Sequence, residues 1–242
     1  MKKIDYELFK SIITMLINAM FNGAAVRGDV DTVANLIAHD GISQGIIDSA
    51  IIGASRVGYV EIVRLLLADS RVNPGVKRNT PLYHAVVYNH PEIVGLLLKD
   101  DRVDPAHYNN EFICRASQYG YVEIVKLLLA DPRVDPTMIA NRSIIQAINR
   151  GHVEIVKLLL ADGRIDPCCD NNKVLKVAAR LGDPDIVGMI LLDDRVCLDL
   201  GAMQVCAEEY ISWHGVESLI DDVRKNDYNT LVKKINSHCT QV

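Results

Sequence analysis

The 242-residue chain is poor in aromatics, which make up 5% of it and include a single tryptophan, Trp213. A core with so few rings must be filled by Leu, Ile, Val and Ala, which suits thin helices packed in layers. Cysteine occurs six times, as Cys114, Cys168, Cys169, Cys197, Cys206 and Cys239, but never in a CxxC pair. That spacing offers no zinc motif and no disulfide framework, so reduced thiols and a cytoplasmic location are expected. No run of 18 apolar residues occurs, so no membrane association is expected. A basic excess is lacking too. The 26 Lys and Arg against 31 Asp and Glu leave a net charge of −5, which argues against nucleic acid as partner.

Signatures of chemistry are equally scarce. There is no G-x-S-x-G elbow, phosphate loop, H-E-x-x-H or dinucleotide fingerprint. His84 and His90 lie close in sequence, but two histidines fall short of the three or four ligands a zinc site needs. The expectation is therefore no enzyme, no cofactor and no metal.

What the chain does have is repetition. Tyr121–Pro136 reads YVEIVKLLLADPRVDP, and related segments run Tyr59–Pro74, His90–Pro105 and His152–Pro167, with a worn copy at Asp183–Leu198. The acidic residue that opens each copy falls at Glu61, Glu92, Glu123, Glu154 and Asp185, 31 positions apart. Asp31 opens an earlier, weaker copy. A fixed period in the 20–50 range marks a stacked repeat architecture.

Alignment on these acids exposes the other half of each unit. Seven positions upstream stands alanine every time: Ala24, Ala54, Ala85, Ala116, Ala147 and Ala178. Three upstream stands Gly28, Gly58, Gly120, Gly151 or Gly182, with Asn89 as the exception. The alanine fits where neighbouring helices approach closely, and the glycine ends a first helix in a left-handed turn. A second helix follows, with Asp183 as an N-cap and Pro91 and Pro184 at the first helical position. Asn79, Asn110, Asn141 and Asn172 recur just before the first helices and are expected to be N-caps. In the loops, Arg71, Arg102, Arg133, Arg164 and Arg195 recur, each two residues after an aspartate. This ladder is expected to satisfy loop carbonyls and pair along the stack, in preference to binding phosphate.

The unit Thr80–Pro81–Leu82–Tyr83–His84–Ala85, with Asn89–His90 and an apolar helix after it, resembles the ankyrin repeat, and Gly151–His152 matches that family's G-H pair. The resemblance implies an all-α solenoid of stacked helix-turn-helix units. The period of 31, below the family's usual 33, implies a clipped interunit loop without a full hairpin. The D-x-R-V-D-P loops resemble arrays of large DNA viruses of protists and of some protists, which would place the protein in a host cytoplasm.

The expected organisation is an N-terminal capping helix over 1–18, six repeats over 19–198 starting near 19, 49, 80, 111, 142 and 173, and a degenerate seventh repeat with a C-terminal cap over 199–242. Leu8, Ile12, Met15 and Leu16 are expected to form the stripe by which the first helix seals the array. By resemblance, the function implied is capture of a protein partner, with a host protein as one candidate, on a concave face of loops and first helices. The protein would act there as a monomeric adaptor or host-targeting effector. The residues that change from unit to unit carry that expectation: Arg56, Tyr88, Tyr119 and Arg150 before or at the turns, and Lys77, His107, Tyr108, Met138 and Ile139 before the first helices. Tyrosine and arginine are common anchors of interfaces. The alternatives are a self-associating structural array and a ubiquitin-ligase substrate adaptor acting through the C-terminal segment.

Overall fold

A computed structural model describes residues 2–191 together with Asp193 and Arg195. The proposed end segment 199–242, with Trp213, lies outside the described residues. Among those described there are helices and turns and no strand. By packing, the chain divides into two units, Met1–His107 and Tyr108–Val242, where the sequence alone suggested one continuous array.

In the first unit the helices are α1 (Lys2–Arg27), α2 (Val30–Ile37), α3 (Gln44–Val57), α4 (Val60–Leu67), α5 (Val76–Val87) and α6 (Pro91–Leu98). In the second they are α7 (His107–Tyr119, its first residue ending the first unit), α8 (Val122–Ala130), α9 (Met138–Asn149), α10 (Val153–Ala161), α11 (Cys169–Leu181) and α12 (Pro184–Leu191). First helices pack on first helices, as α1 on α3 on α5 and α9 on α11, while second helices form the other layer, as α2–α4–α6 and α8–α10–α12.

The local chemistry of each pair is as the pattern requires. All six recurrent alanines are fully buried. Five of them also close the turn: the carbonyls of Ala24, Ala54, Ala85, Ala116 and Ala147 each accept from the amide five residues on, at 2.8–3.0 Å. The residue between sits in the left-handed region, from Asn89 at φ 57° to Gly58 at φ 96°. Asp183 caps α12, its Oδ1 accepting from Asp185 N at 3.0 Å and Ile186 N at 3.2 Å. In the second helices, Ile62, Val63 and Leu66 are fully buried, as are Ile93, Val94 and Leu97 and their equivalents in α8 and α10. Truncating such a leucine to alanine costs about 2–5 kcal/mol.

Two expectations need correction. The first is the N-terminal cap. No break separates a capping helix from the first helix of the first repeat; α1 runs unbroken over both. It packs through Phe21, Ala24 and Ala25, which are buried, and through Asn18, whose amide donates to Gly41 O at 2.9 Å and accepts from Ser43 N at 2.9 Å. The expected sealing stripe faces away from this contact. Leu8 is 59% exposed, Ile12 45%, Met15 67% and Leu16 56%. By length and composition Glu7–Arg27 could cross a membrane, a property that a search for unbroken apolar runs passed over.

The second correction concerns the asparagines. They lie within the opening turns of α5, α7, α9 and α11 and not at the N-caps, which are Gly75 in α5, Thr137 in α9 and Cys168 in α11. Lys77–Asn79 and Tyr108–Asn110 each form three consecutive residues in the left-handed conformation, with φ 48° to 61°. Ile139, Asn141, Asp170 and Asn172 share it. Such residues cost roughly 1–2 kcal/mol each unless something holds them. The asparagine side chain does so by reaching the next loop, 25 positions on. Asn79 Oδ1 accepts from Asp104 N at 3.1 Å, Asn110 Oδ1 accepts from Asp135 N at 2.8 Å, and Asn141 Nδ2 donates to Asp166 O at 2.7 Å. A left-handed turn, buttressed by its neighbour, thus takes the place of a hairpin finger.

The arginine ladder also runs between neighbours. Each guanidinium is held by its own aspartate, with Arg102 Nη2 2.6 Å from Asp100 Oδ2 and Arg133 Nη2 2.6 Å from Asp131 Oδ2. The remaining donors point at carbonyls of the preceding repeat. Arg102 Nη1 donates to Val72 O at 2.7 Å; Arg164 donates to Val134 O at 2.7 Å and Leu129 O at 2.8 Å. Arg195 donates to Ile165 O at 2.9 Å and Leu160 O at 2.7 Å. Leu129 O and Leu160 O lie in the last turns of α8 and α10, so Arg164 and Arg195 cap those helices, while Val72 O, Val134 O and Ile165 O are loop carbonyls. The aspartate–arginine pairing itself stays within a repeat and does not run along the stack.

Candidate interaction surface

In α4, α6 and α10 the side chain that opens the second helix is directed at the turn of the repeat before it. Nε2 of His90 donates to Arg56 O at 3.1 Å and Nε2 of His152 donates to Gln118 O at 3.1 Å, which puts the proton on Nε2 in both rings. Tyr59 OH donates to Val26 O at 3.4 Å in the same way. The rings lie over the turn glycines, so a Cβ on Gly58 would stand 2.6 Å from His90 and one on Gly120 2.8 Å from His152. Glycine is required there twice over, for its φ and for its lack of a side chain. These histidines are structural.

The first-helix side presents the residues not needed for stacking, and it does so in two bands. At the C-terminal end of the first helices stand Arg56, exposed in the last turn of α3, and Tyr88, 51% exposed at the C-cap of α5. In the second unit the same band holds Tyr119, 43% exposed, and Arg150, exposed at the C-cap of α9. At the other end, on the left-handed turns, stand Lys77 and, in the second unit, Tyr108 (56% exposed) and Ile139 (52%). Met138 and His107 are only half-exposed, and His107 Nδ1 lies 3.7 Å from Asp104 Oδ2. The two bands are separated by the length of a first helix, on the order of 15 Å. The candidate residues therefore stand in two rows in each unit.

Between the bands are residues that attention to the turns overlooked. In the first unit the ring of His84 lies 5.8 Å from that of Tyr88 and 5.7 Å from that of Tyr83. Burial, and secondarily the Arg56 charge, hold the His84 imidazole below its ordinary pKa. In the second unit, Glu111 is clamped by two cations, Arg115 Nε at 2.8 Å and Arg142 Nη1 at 2.8 Å. Arg115 also donates to Tyr119 OH at 3.5 Å, and the Tyr119 ring lies 5.6 Å from that of Tyr121. The signal for this row was present in the sequence: Glu111, Arg142 and Lys173 recur at the 31-residue period. No cluster of three His, Cys, Asp or Glu that could hold a metal occurs among the described residues.

The helix pairs, the turn geometry and the buried alanines together specify a repeat type. The family model described as ankyrin repeats (3 copies) matches residues 21–110 and 113–199, between them well over half of the chain. The chain belongs to the ankyrin-repeat family. Ankyrin repeats generally mediate protein–protein interaction and are typically not enzymes. A search of curated proteins found no match. The ankyrin match begins within α1 at residue 21, where that helix enters the packed structure through Phe21.

Proposed function

We propose that this ankyrin array is a protein-binding module, an adaptor or host-targeting effector working in the cytoplasm, that engages its partner through the first-helix and turn side of each unit. The observation that carries the reading is a division of labour. Arg71, Arg102 and Arg164 are committed to neighbouring carbonyls, whereas the side chains of Arg56, Lys77 and Arg150 stand exposed and make no hydrogen bond or ion pair among the described residues. Tyr88 in the first unit, and Tyr119 and Ile139 in the second, stand on the first-helix side of their own unit, and the residue at these positions varies along the repeats, as in Val57, Tyr88, Tyr119, Arg150 and Leu181. Exposed side chains at varying positions on a fixed scaffold are what a binding surface needs.

The test is affinity capture from a protist host lysate, read by mass spectrometry, with Tyr88→Ala and Tyr119→Ala as paired controls. Both variants are expected to keep the wild-type melting temperature and to lose the captured protein. Retention of the same proteins by both variants would refute the assignment of these residues.

A second reading has an observation of its own. The free face of α1 carries Leu8, Phe9, Ile12, Met15, Leu16 and Met20, all between 45% and 67% exposed. End-to-end pairing of two copies through this face would cover it. Sedimentation velocity over a hundredfold concentration range, for wild type and Phe9→Gln/Leu16→Gln, tests this reading. A concentration-independent monomer would exclude it.

A further inference from the structure

Charge in the second unit is sorted by face. The chain carries −5 in all. Yet α7, α9 and α11, with Arg150 at the cap of α9, hold six cations, Arg115, Arg142, Arg150, Lys173, Lys176 and Arg180, against two acids, Glu111 and Asp170. The second helices behind them reverse the balance, with Glu123, Glu154 and Asp185 against Lys126 and Lys157. The loops are acidic as well: Asp131 and Asp135 flank Arg133, and Asp162 and Asp166 flank Arg164. Among the described residues of this unit, the positive excess therefore lies in its first helices.

The cations on that face are arranged to meet something outside. Glu111 is already saturated between Arg115 and Arg142, and Arg142 remains 39% exposed with further N–H donors beyond its one bond to that carboxylate. Lys173 is 3.6 Å from Asp170 with its side chain 47% exposed. The Arg150 side chain makes no hydrogen bond or ion pair among the described residues. Apolar surface is interleaved with these charges, at Tyr119 (43% exposed), Ile139 (52%) and Leu181 (38%).

We propose that this face binds an acidic protein segment, its Asp and Glu carboxylates meeting Arg142, Arg150 and Lys173 and its apolar side chains covering Tyr119, Ile139 and Leu181. Complementary charge favours such a partner by steering encounter and by rejecting basic competitors. A protein segment fits better than nucleic acid. A long polyanion crossing the face would run onto the aspartates of the loops, whereas a short acidic stretch ends before them. The proposal rests on the reading of the array as a protein-binding module and names the chemistry of what it binds.

The experiment uses the full chain as bait for a phage library displaying random 16-residue peptides, with the Arg150→Glu/Lys173→Glu variant selected in parallel and its fold checked by circular dichroism. The expected result is enrichment of peptides richer in Asp and Glu than the naive library, binding at least tenfold more weakly to the variant and weakening as salt rises. Enriched peptides that are neutral or basic would overturn the acidic partner while leaving the binding module standing. Acidic peptides that hold the variant equally well would overturn the placement on this face. A dT20 oligonucleotide that displaces the peptides and binds more tightly would favour the nucleic-acid reading and overturn ours. Failure to enrich any peptide would count against the binding module itself.

Discussion

Replacing Asn110 by serine separates two accounts of the recurrent asparagine. If Asn110 were an N-cap, serine would serve almost as well, because the two rank together at that position, and the change would cost within about 0.5 kcal/mol. The structure assigns it a different task. Its Oδ1 accepts from Asp135 N at 2.8 Å and its own φ is 58°. Serine is one atom too short to reach the next loop and so leaves that amide unsatisfied, at about 1–3 kcal/mol. It also tolerates the left-handed conformation less well, which adds on the order of 1 kcal/mol. The sum is about 2–4 kcal/mol. At a urea m-value of about 2–3 kcal/mol/M this moves the unfolding midpoint down by roughly 1 M. Far-UV circular dichroism in urea measures it directly. Asn110→Gly provides the internal check, since it loses the same bond but relieves the conformation, and should be about 1 kcal/mol more stable than Asn110→Ala. A serine variant indistinguishable from wild type, or a glycine variant no better than alanine, would refute the bridging role.

Further outcomes follow from the same geometry. Gly120→Ala should cost about 1–3 kcal/mol, because φ is +80° and the new Cβ would stand 2.8 Å from His152. Combining it with His152→Ala should cost less than the sum of the two changes, since their clash is shared. Arg164→Lys should lower stability by about 1–2 kcal/mol, because an ammonium cannot serve Asp162, Val134 O and Leu129 O together. Arginine hydrogen bonds hold the carboxyls of Asp69, Asp100, Asp131 and Asp193 below the usual range. Their contribution is complete above the unfolded value of about 3.9 and is lost as pH falls through the lower folded values. His84, also depressed, binds its proton less readily when folded, so its contribution starts to fall below about pH 6.5; this shallow step should vanish in His84→Gln. Burial pushes the Cys114 thiol to about 11, so alkylation followed by peptide mapping at pH 8 should leave Cys114 unmodified until the chain unfolds.

The hairpins were legible from sequence because each rests on a local rule that repetition displays many times over. The buried alanines, the left-handed glycines and the Asp183 cap all fell where the pattern put them. The asparagines were misjudged because N-caps and left-handed turns favour the same residue, and only a contact 25 positions away separates the two. The continuity of α1 was hidden for a related reason. Aligning repeats reveals where a unit starts, but it says nothing of whether the helix before it stops. Its apolar stripe was real, yet composition does not tell which of two apolar sides meets the protein. On the candidate surface, unit-to-unit variation marked the ends of the first helices and missed their middles. The clamp around Glu111 depends on Arg115 four residues along one helix and Arg142 on the next, a geometry visible only once the helices lie side by side.

The buttressed left-handed turn also bears on how the chain folds. The asparagine and arginine bonds, and those of the paired rings, span 25 to 35 residues, which is about one repeat's reach. Long-range closure, the slow step of many folds, is absent from these junctions, and relative contact order stays low however many repeats are added. Within each unit, folding can therefore start at any hairpin pair and spread outward one junction at a time. Growth or shortening of the array by whole repeats therefore preserves every junction; the first, where the spacing is 30 residues, still carries the Tyr59–Val26 and Arg71–Ile37 bonds.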